Sequence, residues 1–132
     1  MIKFTIPGRP VPAVRMTQKG KFRKDNDAAH KYLAYKDAVG WEAKKAGVKQ
    51  MEGKIVIDIK IYLCGGHHGD WDNYAKSICD GLNGIAYEDD RQIIDGRVRK
   101  IIGVTKVEER AEVEIWGCNL GIQSRDRKVL VP

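Results

Sequence analysis

An α+β domain, a single unit with one mixed β-sheet and two helices packed on it, is predicted by three features of the chain. Ile55, Ile57, Ile59, Ile61 and Leu63 share one face of an extended segment, with Asp58 and Lys60 on the other, the period-two pattern of a half-buried strand. Ala75, Ile78, Cys79 and Leu82 then recur at the i, i+3, i+4, i+7 spacing of a helix face. The elements follow one another as β-α-β-α-β-β, an order that builds a mixed sheet with its helices packed against it.

Each element has a local reason. Ile2 to Ile6 alternates apolar and polar residues until Pro7-Gly8 closes the strand. Arg9 to Lys24 reads as a basic loop, with Pro10 and Pro12 opposing regular structure and a short hairpin expected around Lys19-Gly20. Asp25 or Asp27 can cap a helix from Ala28 to Ala46, with Tyr32, Tyr35, Val39 and Ala43 on one face and Gly47 as terminator. Gly65-Gly66 ends the Ile55–Leu63 strand, and His67-His68-Gly69 leads into an acidic run. A helix from Asn73 to Leu82 follows with Asp72 as its N-cap, then strands at Ile94–Val104 and Ala111–Trp116. The tail from Gly117 to Pro132 carries Arg125, Arg127 and Lys128 and is expected to be mobile or to contact a partner. There is no internal repeat.

Composition excludes several classes. The length of 132 residues suits one domain. No apolar run approaches the ~20 residues of a membrane span, and Met1-Ile2-Lys3-Phe4 enters a strand without the apolar core of a signal peptide, so a cytoplasmic location is expected. Cys64, Cys79 and Cys118 are odd in number and lack a CxxC spacing, which argues against a disulfide framework or thiolate zinc site; buried free thiols are expected. His30 is expected to be structural, and Trp41 and Trp116 to lie in the core or a dimer interface.

Charge is unevenly placed. Residues 1–50 hold 12 Lys+Arg against 4 Asp+Glu, and the remainder 12 against 14, so the positive excess lies wholly in the N-terminal part. A basic surface attracts a polyanion in a salt-dependent way. Arg15, Lys19, Lys21, Arg23 and Lys24 are the candidates for DNA phosphate contacts.

Against this background the acids stand out. Asp70 and Asp72 flank the predicted helix start, Lys76 follows Asp72 by one turn, and Glu88-Asp89-Asp90 can add a carboxylate if the chain folds back through Gly81 and Gly84. Clustered carboxylates repel unless something positive sits among them, and oxygen ligands suit Mg²⁺ or Mn²⁺. The competing account is structural, with Asp70 and Asp72 as loop and capping residues and Lys76 as a solvated i+4 partner. Zinc at His67-His68 is disfavoured because adjacent histidines rarely chelate one ion; a loop contact to phosphate suits them better.

The run from Asp70-Trp71-Asp72-Asn73 through Lys76 to Asp80-Gly81-Leu82 resembles the D-x-D-N, lysine, D-x-L motif of the RusA-type Holliday junction resolvases, the crossover junction endodeoxyribonucleases. Glu88-Asp89-Asp90-Arg91-Gln92-Ile93-Ile94-Asp95 resembles that family's second motif, D-D-x-Q followed by a hydrophobic run. With the preceding strand, the resemblance covers roughly residues 55 to 116. His67-His68-Gly69 stands where the family pattern has a strongly basic run.

The resemblance implies a Mg²⁺-dependent endonuclease, with Mn²⁺ able to substitute, that resolves four-way DNA junctions by paired symmetric nicks. It implies that Asp70, Asp72 and Asp90 coordinate the metal and that Lys76 assists catalysis. Asp89 would support Asp90 or share the metal, with Asn73 and Gln92 behind the ligands. It also implies a homodimer, because a two-fold junction needs one nick per subunit. A flap or mismatch nicking enzyme on the same scaffold and a non-catalytic DNA-binding module are the alternatives.

Overall fold

The computed structural model describes residues 1–15 and 27–118. Among the described residues, four strands and two helices appear in the expected order: β1 (Ile2–Pro7), α1 (Asp27–Lys45), β2 (Lys54–Leu63), α2 (Trp71–Leu82), β3 (Ile93–Ile102) and β4 (Arg110–Cys118). Short 3₁₀ turns at Asp90–Gln92 and Lys106–Glu108 precede β3 and β4. The strands form one sheet in the order β1-β4-β2-β3. β4 is antiparallel to β1 and to β2, while β3 runs parallel to β2. A parallel pair needs a crossover, and α2 supplies it.

Alternation decides which face of the sheet is covered. Ile55, Ile57, Ile59, Ile61 and Leu63 of β2 are buried together with Phe4, Ile6, Ala111, Val113 and Ile115, and Tyr35, Val39, Ile78 and Leu82 of the helices close the same cluster. Each such aliphatic side chain contributes about 2 kcal/mol on burial. The outer face holds Asp58, Lys60 and Tyr62 of β2 and Glu112, Glu114 and Trp116 of β4. Its charges pair locally: Arg99 with Asp58 at 3.5 Å, and Arg110 with Glu112 at 2.9 Å. Tyr62 also donates to Glu112 at 3.0 Å.

Two glycines set the distance between the helices. A Cβ on Gly81 would lie 2.8 Å from the Val39 Cβ and 3.0 Å from the Lys36 carbonyl oxygen; one on Gly40 would lie 2.6 Å from the Ile85 Cδ1. Gly81 is therefore a contact point inside α2 rather than part of the chain return. The return is made at Gly84, whose φ of +79° favours glycine.

Other expectations are corrected. α2 begins two residues early, at Trp71, so Asp70 rather than Asp72 occupies the N-cap position. Its buried face is Tyr74, Ser77, Ile78, Gly81 and Leu82, with Ala75 and Cys79 only half-buried. β4 continues through Gly117 and Cys118, where the tail was expected to begin, because both residues keep pairing with β2. Trp41 is 63% exposed on α1, so it is no core residue, while Trp116 is half-buried on the outer sheet face. His30 is exposed on α1 and Cys64 is exposed at the end of β2. Cys79 is half-buried, and burial pushes its thiol up to about 11. Lys19, Lys21, Arg23, Lys24 and Asp25 lie outside the described residues, as does the tail from Asn119.

Candidate active site

Asp70 sits where an extended loop turns into α2. Its φ and ψ of −73° and 148° are those of an N-cap, yet its side chain makes no capping bond. Its carbonyl instead accepts from the Asn73 N–H at 3.1 Å and the Tyr74 N–H at 3.3 Å. Asp72 lies in the first turn, and both acids are exposed. Neither carboxylate has a hydrogen-bond or ion-pair partner among the described residues. The capping account of Asp70 therefore fails at the side chain. The positive end of the helix still faces both acids.

The loop from Cys64 to Gly69 is tied to distant parts of the chain. Glu109, buried at the start of β4, accepts from the Cys64 N–H at 2.9 Å and pairs with Arg9. Arg9 also donates to the His67 carbonyl at 2.8 Å. The Cys64 amide, then Arg9, hold the Glu109 carboxyl below its ordinary range. Lys100 donates to the Gly69 carbonyl at 2.9 Å and lies 3.1 Å from the His68 Nδ1, while the Gly69 N–H donates to the Tyr74 hydroxyl at 3.1 Å. Pro12 packs so closely on Gly69 that a Cβ there would lie 2.8 Å from its Cγ. The Ala13 N–H caps this arrangement on the Asn73 carbonyl at 2.9 Å.

Lys76 pairs forward, with Asp80 at 3.2 Å, and not back to Asp72 as its spacing suggested. Tyr32 of α1 donates to the same Asp80 carboxylate at 2.7 Å. Burial and then the Asp80 bond push the Tyr32 phenol up. Asp80 thus joins the two helices and holds Lys76 in place.

Asp90 opens the 3₁₀ turn before β3 and lies within electrostatic reach of Lys76 and Asp80. Its carboxyl is pushed up by partial desolvation, then by the hydrogen bond and charge of Asp89 and the charge of Asp80, against Lys76. Asp89 is the capping residue of that turn: its carboxylate accepts from the Arg91 N–H at 3.1 Å, which, with the Asp90 hydrogen bond, lowers it. Gln92 completes the box by accepting from the Asp89 N–H at 3.3 Å, accepts also from the Glu88 N–H at 2.9 Å, and its amide donates to the Met51 and Gly53 carbonyls at 3.0 and 2.9 Å. Asp89 and Gln92 therefore support Asp90.

Asp90 feels the charge of Lys76, and among the described residues no hydrogen bond or ion pair joins either of them to Asp70 or Asp72. Asp72 and Asp80 are eight residues apart on α2, about 12 Å along its axis. Among the described residues no group of three His, Cys, Asp or Glu side chains lies close enough to hold one ion. The donor chemistry nevertheless suits a hard divalent cation, since Asp70 and Asp72 offer carboxylates unengaged by the described protein. Arg15 is exposed beyond the Pro12–Ala13 segment, available to a phosphate. The sequence reading took Asp80 only as part of the first motif and Arg9 only as the start of the basic loop, and singled out neither Glu109 nor Lys100. Asp80 carried a signal, the i, i+4 spacing from Lys76, while the others act across long chain separations. Trp71, 57% exposed between the two aspartates, was also passed over.

A family model described as endodeoxyribonuclease RusA matches residues 7–116. The chain belongs to the RusA endodeoxyribonuclease family. This family acts on branched DNA junctions, and its model spans β1's end, the basic N-terminal segment, both acidic motifs and most of β4. The chain is also similar to the uncharacterized protein YqaN of Bacillus subtilis (strain 168), 30% identical over 86% of this chain and 94% of that protein. The matched region extends N-terminal of the two motifs and the strand before them, taking in Arg9 and Pro12. No helix among the described residues is long and apolar enough to cross a membrane.

Proposed function

We propose that this chain is a Mg²⁺-dependent crossover junction endodeoxyribonuclease that resolves Holliday junctions by paired, symmetric hydrolytic nicks. The observation that carries this reading is the pair of exposed carboxylates, Asp70 and Asp72, unengaged by the described protein at the N-terminus of α2 in a chain of the RusA family. Asp70, Asp72 and Asp90 would hold Mg²⁺, or Mn²⁺ in its place. When bound, such an ion lowers the pKa of a coordinated water and stabilises charge on the leaving oxygen.

The chain's own groups do the rest. Lys76, oriented by Asp80 and Tyr32, supplies positive charge for the developing negative charge of the phosphodiester. Asp89 and Gln92 fix the turn that presents Asp90. Arg15 and the basic residues Lys19, Lys21, Arg23 and Lys24 contact phosphates, so binding follows junction shape and charge more than base edges. A homodimer places one site on each of two symmetric strands. Hydrolysis without a covalent intermediate leaves 5′-phosphate and 3′-hydroxyl ends, and action on recombining or phage DNA places the protein in the bacterial cytoplasm.

Incubating a labelled four-way junction and a matched linear duplex with the protein, in Mg²⁺ or in EDTA, tests this. Paired nicks in the junction alone, dependent on Mg²⁺ and absent in Asp72→Asn, are expected. Equal nicking of flaps or mismatches would point to a different nicking nuclease. Tight junction binding without cleavage in either Mg²⁺ or Mn²⁺ would leave a non-catalytic binding module.

A further inference from the structure

Lys100 stands where the sheet calls for an apolar residue. In the parallel register of β2 with β3, Ile57, Ile59, Ile61 and Leu63 face Gly96, Val98, Lys100 and Ile102. All four β2 residues are buried, so Lys100 belongs to the inward row. A lysine there gives up hydration unless its ammonium finds acceptors. It finds them on two consecutive residues, the Gly69 carbonyl at 2.9 Å and the His68 ring nitrogen at 3.1 Å.

That carbonyl belongs to the planar peptide unit whose nitrogen is Asp70's own. The peptide unit on the other side of Asp70 is held by the Asn73 and Tyr74 amides. Lys100 and the first turn of α2 thus anchor both planes flanking the Asp70 Cα, and with them the direction in which its side chain leaves the backbone. Gly69 itself is held on its N–H by the Tyr74 hydroxyl and on its Cα by Pro12, so Lys100 is what adds a hold on the carbonyl side, the side that leads to Asp70.

We infer that Lys100 is a positioning residue that fixes Asp70 for divalent cation binding, acting through the Gly69 carbonyl. This rests on the proposed nuclease reading only for its consequence in cleavage; its consequences for the loop and for metal affinity do not. The ammonium on β3 does for Asp70 what an outer hydrogen-bonding partner does for any metal ligand, and losing such partners typically weakens metal binding about 10- to 100-fold.

Three readouts on Lys100→Met and Lys100→Arg test it: amide hydrogen exchange at residues 64–70, Mn²⁺ affinity by paramagnetic resonance without DNA, and the Mg²⁺ concentration for half-maximal junction cleavage. Lys100→Met is expected to speed exchange at the Gly69 amide, which donates to the Tyr74 hydroxyl, to weaken Mn²⁺ binding by about ten-fold or more, and to raise the Mg²⁺ requirement in step, with junction affinity in EDTA unchanged. Lys100→Arg, which keeps a charged donor, is expected to recover most of both. If Lys100→Met does not fold, Lys100→Gln carries the same readouts. Unchanged exchange and Mn²⁺ affinity overturn the inference, as does wild-type protein that binds no Mn²⁺. Weaker junction binding with an unchanged metal requirement also overturns it and makes Lys100 a phosphate contact. Weakened Mn²⁺ binding in Lys100→Met alongside a wild type that cannot cleave would uphold the inference and sink the nuclease reading instead.

Discussion

The loop that delivers Asp70 is held from outside, by Arg9 before it in the chain and by Lys100 and Glu109 well after it. The turn that carries Asp90 is held largely from within: Asp89 caps it, Gln92 closes the box, and only the Met51 and Gly53 carbonyls come from elsewhere. The first arrangement forms only when the sheet is assembled, since β3 and β4 must be in register before Lys100 and Glu109 can reach the loop. The second needs a few contiguous residues and one strand start. One acid therefore depends on tertiary structure for its position, and the other mostly on its own motif.

The sharpest test of this contrast compares two conservative substitutions. Asp70→Asn should cut junction cleavage by about a thousand-fold or more, equal to about 4 kcal/mol of barrier, with binding retained or tightened as negative charge beside phosphate is lost. Asp89→Asn should cost only about ten-fold, because an asparagine can still accept the capping bond. Nicking rates under single-turnover conditions decide it, and equal losses would show that Asp89 shares the metal instead of supporting Asp90.

Smaller effects follow for stability. Gln92→Ala removes bonds to two amides and two carbonyls of half-exposed backbone and should cost about 2 kcal/mol in denaturant unfolding. Gly81→Ala should cost about 1–3 kcal/mol by pushing Val39 and the Lys36 carbonyl away, and would also strain the Tyr32–Asp80 bond between the helices.

The pH dependence reaches the loop through Glu109. The folded Glu109 carboxyl is lowered, chiefly by the Cys64 amide, so its contribution is present above the unfolded value and is lost as pH falls through the folded one. Glu109→Gln should therefore flatten the acid side of a stability-versus-pH curve; an unchanged curve would remove Glu109 from the loop's support. Smallest of all, Arg91→Ala should stay within about 0.5 kcal/mol, since Arg91 is exposed and its pairing with Asp89 is solvated. A larger loss would mean that the turn is less self-sufficient than its capping box suggests.

What could be read from the sequence follows the same division. The strands and helices were legible because their apolar periods are local, and the Asp70–Asp72–Lys76 and Asp89–Asp90–Gln92 runs because each motif is contiguous. Lys76 pairing with Asp80 instead of Asp72 was not, since a helix offers an i+4 partner in both directions and only Tyr32, from the other helix, helps fix Asp80. Cys64 was misjudged, and Trp41 is no core residue, for a related reason: residue type gives a tendency to be buried, while the packing of α1 and the end of β2 decides it. Arg9, Lys100 and Glu109 lie 58, 31 and 45 residues from the loop atoms they hold, beyond the reach of any pattern read along the chain.

Among the described residues, the order β1-β4-β2-β3 leaves β1 and β3 as the two rims of the sheet. A bare rim is a template on which another extended chain can add, and the result is aggregation. Here β1 offers Pro7, which has no N–H to give, and Lys3, while β3 carries Asp95, Arg97, Arg99 and Lys100 along its length. The charges that brace the outer face and the Asp70 loop thus also discourage unwanted strand addition. Replacing them with apolar residues would remove a guard against polymerisation as well as disturb the site.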